Sequence, residues 1–422
     1  MSSILEGLAI ARCQGHPKGT YAVCSAHPWV LEAAVDQAVE DGTYLLIEAT
    51  SNQVNHRGGY TGMQPEDFRR LVTGIAATKG FAESRLIFGG DHLGPNPWQN
   101  QGAAVAIGEA KEMVQAYVKA GFQKIHLDAS MACADDQGPL SDETIARRAA
   151  TLCAAAEVVS GEQKPVYVVG TEVPIPGGAT ESLTGLAVTS RAAAAETLDI
   201  HRRVFKEAGL AHVWPRVIAL VVQPGVEFNH DSVVDYDPAG SMDLTALLKD
   251  EENLVYEAHS TDYQRPEAFC NLVRDGFAIL KVGPALTFAL REALASLSMI
   301  EAELVEPAQC SKLMTVLERV MLENPRYWEH HYMGDARAVC LLRRYSYSDR
   351  VRYYWNDLTV KEAVKTLLSN LQKAVIPETM LSAFMPEHYH AIRAGKLRPD
   401  AHSMIIHSIR QVLQGYAAAC RM

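Results

Sequence analysis

The sequence lacks a basic excess and any regular spacing of cysteines, and each absence excludes a class of protein. Its 422 residues carry 39 Lys and Arg against 50 Asp and Glu, which gives a net charge of −11. Proteins that bind nucleic acid or anionic membranes without specificity show the opposite balance, so we expect neither partner. The eight cysteines are scattered without a CxxC pair, as in a reduced cytoplasmic protein rather than a secreted disulfide scaffold.

Long apolar runs and nucleotide motifs are missing as well. No stretch approaches the roughly 18 apolar residues of a membrane span, and no basic segment with an apolar stretch opens the chain. There is no P-loop, GxGxxG unit or kinase signature, so nucleotide-dependent phosphoryl transfer has no support. We therefore expect a soluble, cytoplasmic protein.

What the sequence has is eight short aliphatic and β-branched runs, spaced by about 37 residues, the scale of a βαβ unit. They cover residues 21–27, 44–50, 85–92, 124–130, 166–172, 217–223, 254–260 and 277–283. Runs of this kind are typical of strands buried on both faces. With helical stretches between them, they predict an α/β fold, the (β/α)₈ TIM barrel, whose functional residues gather at the carboxyl ends of the strands.

The chain is too long for a bare barrel of roughly 250 residues. We place the barrel at residues 1–300 and a C-terminal helical extension, packed on the barrel, at residues 301–422. Within the extension, the basic and aromatic segment 345–355 allows two interpretations. It is either a surface helix whose aromatic rings pack on the barrel, or a patch that faces a partner protein.

The most specific polar segment, residues 89–98, follows the third run and contains adjacent Asp91 and His92 before a Gly-Pro-Asn turn. A functional interpretation makes His92 a metal ligand and Asp91 a general acid or base. The alternative is a structural turn that contains a buried, hydrogen-bonded Asp–His pair. The position at a strand end favours the functional interpretation.

Two further runs carry histidine. His126 and Asp128 alternate along the fourth run and share a face with Ser130. They therefore reach the barrel mouth, with Asp128 a candidate catalytic acid and Ser130 a candidate substrate ligand, or they form a polar layer inside the barrel. His259 and Ser260 end the seventh run. His259 is the second candidate metal ligand, although a lone strand-end histidine is more often a hydrogen-bonding residue.

Several segments suit an anionic ligand. Glu172, a third candidate catalytic residue, precedes Gly177 and Gly178, whose backbone amides could bind a phosphate. Lys281 and Gly283 precede the eighth helix, and barrel phosphate sites often follow the last two strands.

A polar cluster after the second run includes Glu48 and Asn52, which could hydrogen-bond a polyhydroxylated ligand. A solvated loop is the alternative for this cluster. That alternative suits Glu48 less well, because it lies within the apolar run.

These segments together resemble the GatZ/KbaZ family, the Z subunits of bacterial tagatose-1,6-bisphosphate aldolases, and the KbaZ branch in particular. The likeness covers nearly the whole chain. Among the segments that carry it are VCSAHP (23–28), IEATSNQVN (47–55), GGDHLGPN (89–96), KIHLDASM (124–131), YEAHSTDYQ (256–264) and SYSDRVRYYW (346–355). Members are often labelled tagatose-6-phosphate kinase, against which the missing kinase motifs argue.

The resemblance implies a subunit that supports the activity and stability of a separate catalytic Y subunit, in galactitol or N-acetylgalactosamine breakdown. It also implies kinship with class II aldolases, zinc barrels in which an Asp–His pair after strand three and a histidine after strand seven match Asp91, His92 and His259. Strand six should supply another histidine, but this chain has Gln223 near that strand end. Losing one imidazole weakens a zinc site, unless His126 or Glu172 substitutes.

The sequence leaves three functions open. The leading hypothesis is a non-catalytic aldolase subunit that acts through contact with its partner. The rival is a free-standing, metal-dependent lyase, aldolase or isomerase that acts on a sugar phosphate. A weaker third is a sugar-phosphate sensor that binds its ligand without metal or turnover.

Overall fold

The computed structural model describes residues 4–171, 178, 179, 183 and 186–421, and within them eight parallel strands close into a barrel. This confirms the predicted (β/α)₈ fold. The strands are β1 (Thr20–Cys24), β2 (Leu45–Thr50), β3 (Leu86–Leu93), β4 (Lys124–Leu127), β5 (Val166–Val169), β6 (Val217–Val222), β7 (Glu227–Phe228), β8 (Val233–Val234), β9 (Val255–Ala258) and β10 (Phe277–Val282). Strands β7 and β8 form a separate antiparallel hairpin, so that β9 and β10 are the seventh and eighth strands of the barrel.

Helices alternate with the barrel strands. The helices are α1 (Glu6–Cys13), α2 (Pro28–Asp41), α3 (Pro65–Thr78), α4 (Ala103–Lys119), α5 (Asp142–Val159), α6 (Arg191–Glu207), α7 (Pro238–Ala246), α8 (Pro266–Arg274), α9 (Pro284–Leu304), α10 (Leu313–Glu323), α11 (Ala336–Tyr345), α12 (Leu358–Lys373), α13 (Glu378–Phe384), α14 (Pro386–Arg393) and α15 (Ala401–Cys420). In the part of the chain that the structure describes, α9 follows the last barrel strand, and six more helices follow α9. Among the described residues, no helix combines the length and apolarity that a membrane crossing needs.

Helix α1 closes the amino-terminal end of the barrel. Leu5 and Leu8 are buried and belong to one cluster with inward-facing strand residues such as Ile87, Val168 and Ile279. Arg12 fixes the helix by donating to the carbonyls of residues 248 and 251, at 2.8 Å and 2.7 Å. These apolar side chains fill the amino-terminal half of the barrel interior, so the polar side chains lie in the half toward the carboxyl ends of the strands.

The C-terminal helices pack on the barrel rather than forming a detached unit. Helix α9 continues to Leu304, past the predicted boundary at residue 300. Helix α15 lies against α2, α8 and α9, and it buries Ile405, Ile409 and Leu413 in the same apolar cluster as the barrel helices. The extension therefore shares one hydrophobic core with the barrel.

The basic and aromatic segment 345–355 folds inward. Ser346, Ser348, Asp349, Val351 and Trp355 are buried, whereas Tyr345 is exposed. The 3₁₀ turn Arg350–Tyr353 packs against α9 at the carboxyl ends of the strands. Of the two interpretations of this segment, the structure supports packing on the barrel, because most of its side chains have no surface left for a partner.

Candidate active site

Nine polar side chains fill the half of the barrel interior that lies toward the carboxyl ends of the strands. All of them are at most 5% exposed, which is exceptional for charged residues and requires internal partners. We call this set the barrel cluster. It consists of Glu48, Asp91, His92, Lys124, His126, Asp128, Glu257, His259 and Lys281.

Two lysines neutralise the carboxylates at the base of the barrel cluster. Lys124 Nζ lies 2.7 Å from Glu48 Oε1 and 2.6 Å from Glu257 Oε2. Lys281 Nζ contacts the other oxygen of Glu48 and lies 2.9 Å from Asp91 Oδ1. Glu48, expected to bind a ligand, is fully buried between the two lysines and does not face the cavity. It instead fixes the positions of both ammonium groups.

Three imidazoles converge above this base. The ring centroid of His92 lies 5.2 Å from that of His126 and 4.9 Å from that of His259, and the last two are 5.3 Å apart. His126 therefore reaches the site. Strand β6 supplies no histidine, but β4 brings a third imidazole, that of His126, to the same place.

Each histidine has a close carboxylate partner, and His92 Nε2 also lies 3.6 Å from Asp91 Oδ2. His92 Nδ1 lies 2.8 Å from Asp128 Oδ2, and His259 Nε2 lies 2.9 Å from Glu257 Oε1. His126 Nδ1 lies 3.1 Å from Asp91 Oδ1, whereas its Nε2 is buried and has no hydrogen-bond partner among the described residues. A carboxylate on one imidazole nitrogen orients the ring and leaves the other nitrogen for a ligand.

The backbone around His92 is tightly constrained. His92 has φ +49°, in the left-handed region of backbone conformation. At this point in β3, a shift of register interrupts its pairing with β4. At Gly94, a Cβ atom would lie 1.5 Å from the carbonyl oxygen of Asp128, so only glycine fits. This close approach of the two strand ends holds His92 against Asp128.

The electrostatic environment of the barrel cluster shifts the pKa values of Asp91, His92 and His259. Burial would raise the pKa of Asp91, but the charges of His92 and Lys281 hold it well below its usual value. Burial lowers the pKa of His259 to about 4, although Glu257 opposes this. For His92, burial also acts to lower the pKa, but Asp91 and Asp128 outweigh it, and the pKa is raised.

The cluster also has the composition of a divalent-metal site. It contains four carboxylates, those of Glu48, Asp91, Asp128 and Glu257, beside two lysines and three histidines. Donor atoms of four residues lie within 4.8 Å of one another: Asp91, His126, Glu257 and His259. His92 borders this set through its ring contacts with both histidines.

A cavity of about 640 Å³ opens from the barrel cluster toward solvent. Five of the residues singled out from the sequence beside His92 and His259 lie on its walls: Asn52, Asp91, Ser260, Lys281 and Gly283. Its size is within the range of about 300–1,000 Å³ that small-molecule sites occupy.

Other predicted site residues have different positions. Ser130 donates to Asp128 Oδ1 at 2.6 Å, so it orients Asp128 rather than facing the cavity. Gly178 has φ +84° and packs under Phe228, which leaves no room for a Cβ. Glu172 and Gly177 lie outside the described residues, and their proposed roles remain predictions.

The outer end of the cavity is built by the C-terminal extension, in a part that we call the roof. The roof comprises the turn Arg350–Tyr353, Trp355 and Asn356, and the side chains of Lys361, Lys365 and Leu368 on α12. It lies over the barrel mouth, opposite Asn52 and Ser260.

Sequence reasoning missed Lys124, Glu257 and the roof cations. A signal for the first two was present, because alternation places Lys124 on the face of His126 and Glu257 on the face of His259. For Arg352 and Lys361, the only signal in the sequence was the basic character of the segments that contain them.

Comparison with known proteins shows which family the chain matches. A family model described as D-tagatose-1,6-bisphosphate aldolase subunit GatZ/KbaZ-like matches residues 5–421. The crystal structure of a probable tagatose 6 phosphate kinase from Sinorhizobium meliloti 1021 shows 48% identity and a TM-score of 0.89, over 96% of this chain and 100% of that one.

Two aldolase structures match at much lower similarity. The YdjI aldolase from Escherichia coli K12 shows 11% identity and a TM-score of 0.43, over 88% of this chain and 98% of that one. The fructose-bisphosphate aldolase from Campylobacter jejuni shows 12% identity and a TM-score of 0.46, over 88% and 92% of the two chains.

Proposed function

Because the chain belongs to the GatZ/KbaZ-like family of D-tagatose-1,6-bisphosphate aldolase subunits, we propose that it acts on a sugar phosphate through a metal-dependent site of its own, as a lyase, aldolase or isomerase. One observation carries this proposal. Four buried residues present their donor atoms within 4.8 Å of one another, and two of them, Asp91 and His259, line the cavity.

The residues fit a divalent metal. His126 and His259 would hold it, with a carboxylate of Asp91 or Glu257. The unpartnered Nε2 of His126 supports this fit, because a buried imidazole nitrogen without a partner is costly. His92 remains a candidate ligand from its position beside the two rings. When bound, such a metal polarises the carbonyl of a ketose.

The chain's own groups have separable roles. Asp91 lines the cavity with a pKa well below its usual value, so it is ionised at neutral pH and can accept a proton from a substrate hydroxyl. Asp128 does not line the cavity and acts through His92, whose ring it orients. Glu172 is a further candidate acid or base.

Covalent catalysis by lysine or cysteine is not proposed. Burial acts to lower the pKa of Lys281, but Asp91, Cys24 and Glu48 raise it well above its usual value, so the ammonium has no free electron pair for a Schiff base. Burial raises the pKa of the Cys24 thiol well above its usual value, so no thiolate forms there. Lys281 instead contributes positive charge beside Asp91.

A second candidate function is support of a separate catalytic Y subunit, which the family description as an aldolase subunit favours. In this case the chain has no activity alone and raises the activity and lifetime of its partner, in galactitol or N-acetylgalactosamine breakdown. We also propose that the chain belongs to the KbaZ branch of the family. We propose further that it divides into a barrel of residues 1–300 and an extension of residues 301–422. Kinase activity, named for the Sinorhizobium meliloti protein, is not proposed, because the nucleotide motifs are missing.

Metal content and turnover on one preparation test the proposal. Protein purified without chelator should contain about one divalent metal per chain, as a site with this donor set would hold. It should also convert tagatose 1,6-bisphosphate or a tagatose or fructose monophosphate, and lose both properties after chelation. Metal-free protein that turns over none of these, but activates a Y subunit, would establish the second candidate instead.

A further inference from the structure

We infer that Arg352, a residue of the C-terminal extension, binds the phosphate group of the substrate at the outer end of the cavity, with Lys361 beside it. This rests on the proposed function in one respect, since the phosphate belongs to the sugar phosphate proposed there. Both residues line the cavity that leads down to the barrel cluster. A phosphate dianion needs cations or backbone amides that are not already neutralised, and the inference follows from which ones remain.

The lysines inside the barrel are not available. Lys124 lies within 2.7 Å of two carboxylates and is fully buried. Lys281 pairs with Glu48 and Asp91. A phosphate at either lysine would have to displace a buried carboxylate, which would then lose a compensating charge.

The amino terminus of α9 is not available either, although the sequence suggested it as a phosphate site through Lys281 and Gly283. Asp262 Oδ1 accepts from the amides of Gly283 and Ala285, at 3.0 Å and 2.8 Å. The chain thus places its own carboxylate where barrel enzymes often bind phosphate. Asp262 also lines the cavity, so its charge opposes an incoming anion there.

Arg352 differs from these groups in having no acidic partner. No carboxylate of the residues that the structure describes lies within 4 Å of its guanidinium nitrogens. It bonds instead to the carbonyls of Ser348 and Asp349 and, at 3.0 Å, to Tyr353 Oη. An arginine has five N–H donors, so donors remain for a ligand.

The position of Arg352 is fixed before any ligand arrives. Its turn is tied to α9 by Asp349, which lies 3.4 Å from Arg291 Nε, and to the 3₁₀ turn Pro325–Tyr327 by Arg350, which donates to the carbonyl of Tyr327 at 2.7 Å. A guanidinium held in place loses little entropy on binding a phosphate. Lys361 is exposed on α12 and forms no ion pair with a described residue, which suits a second, more mobile cation at the rim.

Calorimetric titration with inorganic phosphate, tagatose 1,6-bisphosphate and unphosphorylated tagatose tests the inference on the full chain. Arg352→Gln should weaken binding of both phosphate compounds about tenfold or more, because it removes a charged donor. Lys361→Gln should weaken them about twofold to threefold, as expected for a solvated cation. Binding of unphosphorylated tagatose and the metal content should not change. Arg344→Gln, which alters an exposed arginine of the same extension outside the cavity, serves as the matched control.

The outcomes separate this inference from the proposed function. Folded Arg352→Gln protein that binds phosphate as tightly as wild type would overturn the inference, whatever its metal content. Arg352-dependent phosphate binding by a protein without metal or turnover would support the subsite and remove the proposed chemistry. If Arg352→Gln does not fold, Lys361→Gln decides, and unchanged phosphate affinity in that variant would overturn the inference.

Discussion

The two ends of the cavity use charge in opposite ways. At the inner end, Lys124 and Lys281 are buried and paired with carboxylates. At the outer end, Arg352 and Lys361 have no carboxylate partner among the described residues. Paired charges in a buried site fix geometry, whereas unpaired cations near solvent have attraction left for a ligand. The comparison matches the roles proposed above, in which the inner end orients reactive groups and the outer end binds the phosphate.

The largest effect is expected from breaking the pairing at the inner end. Lys124→Met leaves Glu48 and Glu257 without their shared cation and should destabilise the fold by about 3–5 kcal/mol. Denaturant unfolding measures this, with Lys119→Met on the exposed side of α4 as the control. Equal unfolding midpoints of the two variants would mean that the buried charges are not held as the structure shows.

The imidazoles test whether the inner end is a metal site. His126→Ala removes the buried ring whose Nε2 has no partner and should lower metal affinity and turnover at least about 100-fold. Metal analysis and steady-state kinetics give the two numbers. His402→Ala, a partly exposed histidine of α15, should change neither. Full metal content in His126→Ala would exclude that histidine from the ligand set.

Acid should loosen the extension that carries the roof. Burial lowers the pKa of His388 to about 4, while its Nε2 contacts the carbonyl of Met404 at 3.0 Å, joining α14 to α15. The unfolded chain, with a histidine pKa near 6.5, binds more protons between about pH 6.5 and 4, so stability falls as the pH drops through this window. His388 should contribute about 3 kcal/mol to this loss, and His388→Gln should reduce the loss by that amount.

A control for this pH dependence comes from His402. Its hydrogen bond with Glu32 raises the pKa of His402, so its contribution is present below about pH 6.5 and disappears as the pH rises. His402→Gln should therefore lower the stability below about pH 6.5 and leave the alkaline side of the profile unchanged. Thermal unfolding across pH distinguishes the two histidines.

The smallest effect is expected at the outer end of the cavity, from the loss of a single hydrogen bond. Tyr263 Oη donates to the carbonyl of Tyr347 at 2.7 Å and ties the roof to the loop after β9. Tyr263→Phe keeps the ring stack and should cost about 1 kcal/mol. Hydrogen exchange should accelerate in residues 345–356 while metal content stays constant. Uniform acceleration throughout the barrel would contradict a local role.

The barrel was predictable because its strands are buried on both faces and therefore appear as uninterrupted apolar runs. All eight runs correspond to barrel strands. Helix α1 and the hairpin of β7 and β8 were not predicted, since one is a single short helix and the other has two residues in each strand. Local patterns of that length are too short to distinguish from irregular chain.

For the candidate site, the sequence predicted some of the residues but not how they are arranged. Asp91, His92 and His259 stood out by position, but the reach of His126 and the enclosure of Glu48 depend on how strands come together on barrel closure. Glu48 meets Lys281 across 233 residues of sequence. The occupation of the α9 amides by Asp262 was equally hidden, because no local pattern shows which anion a helix terminus receives.

Helix α1 limits the routes by which a small molecule can reach the barrel cluster. With Leu5 and Leu8 sealing the far end of the barrel, the described residues leave the roofed mouth as the passage to the imidazoles. On the proposed function, substrate and product would both use that passage, and the side chains of Tyr353, Trp355 and α12 that line it would influence the rate of product release.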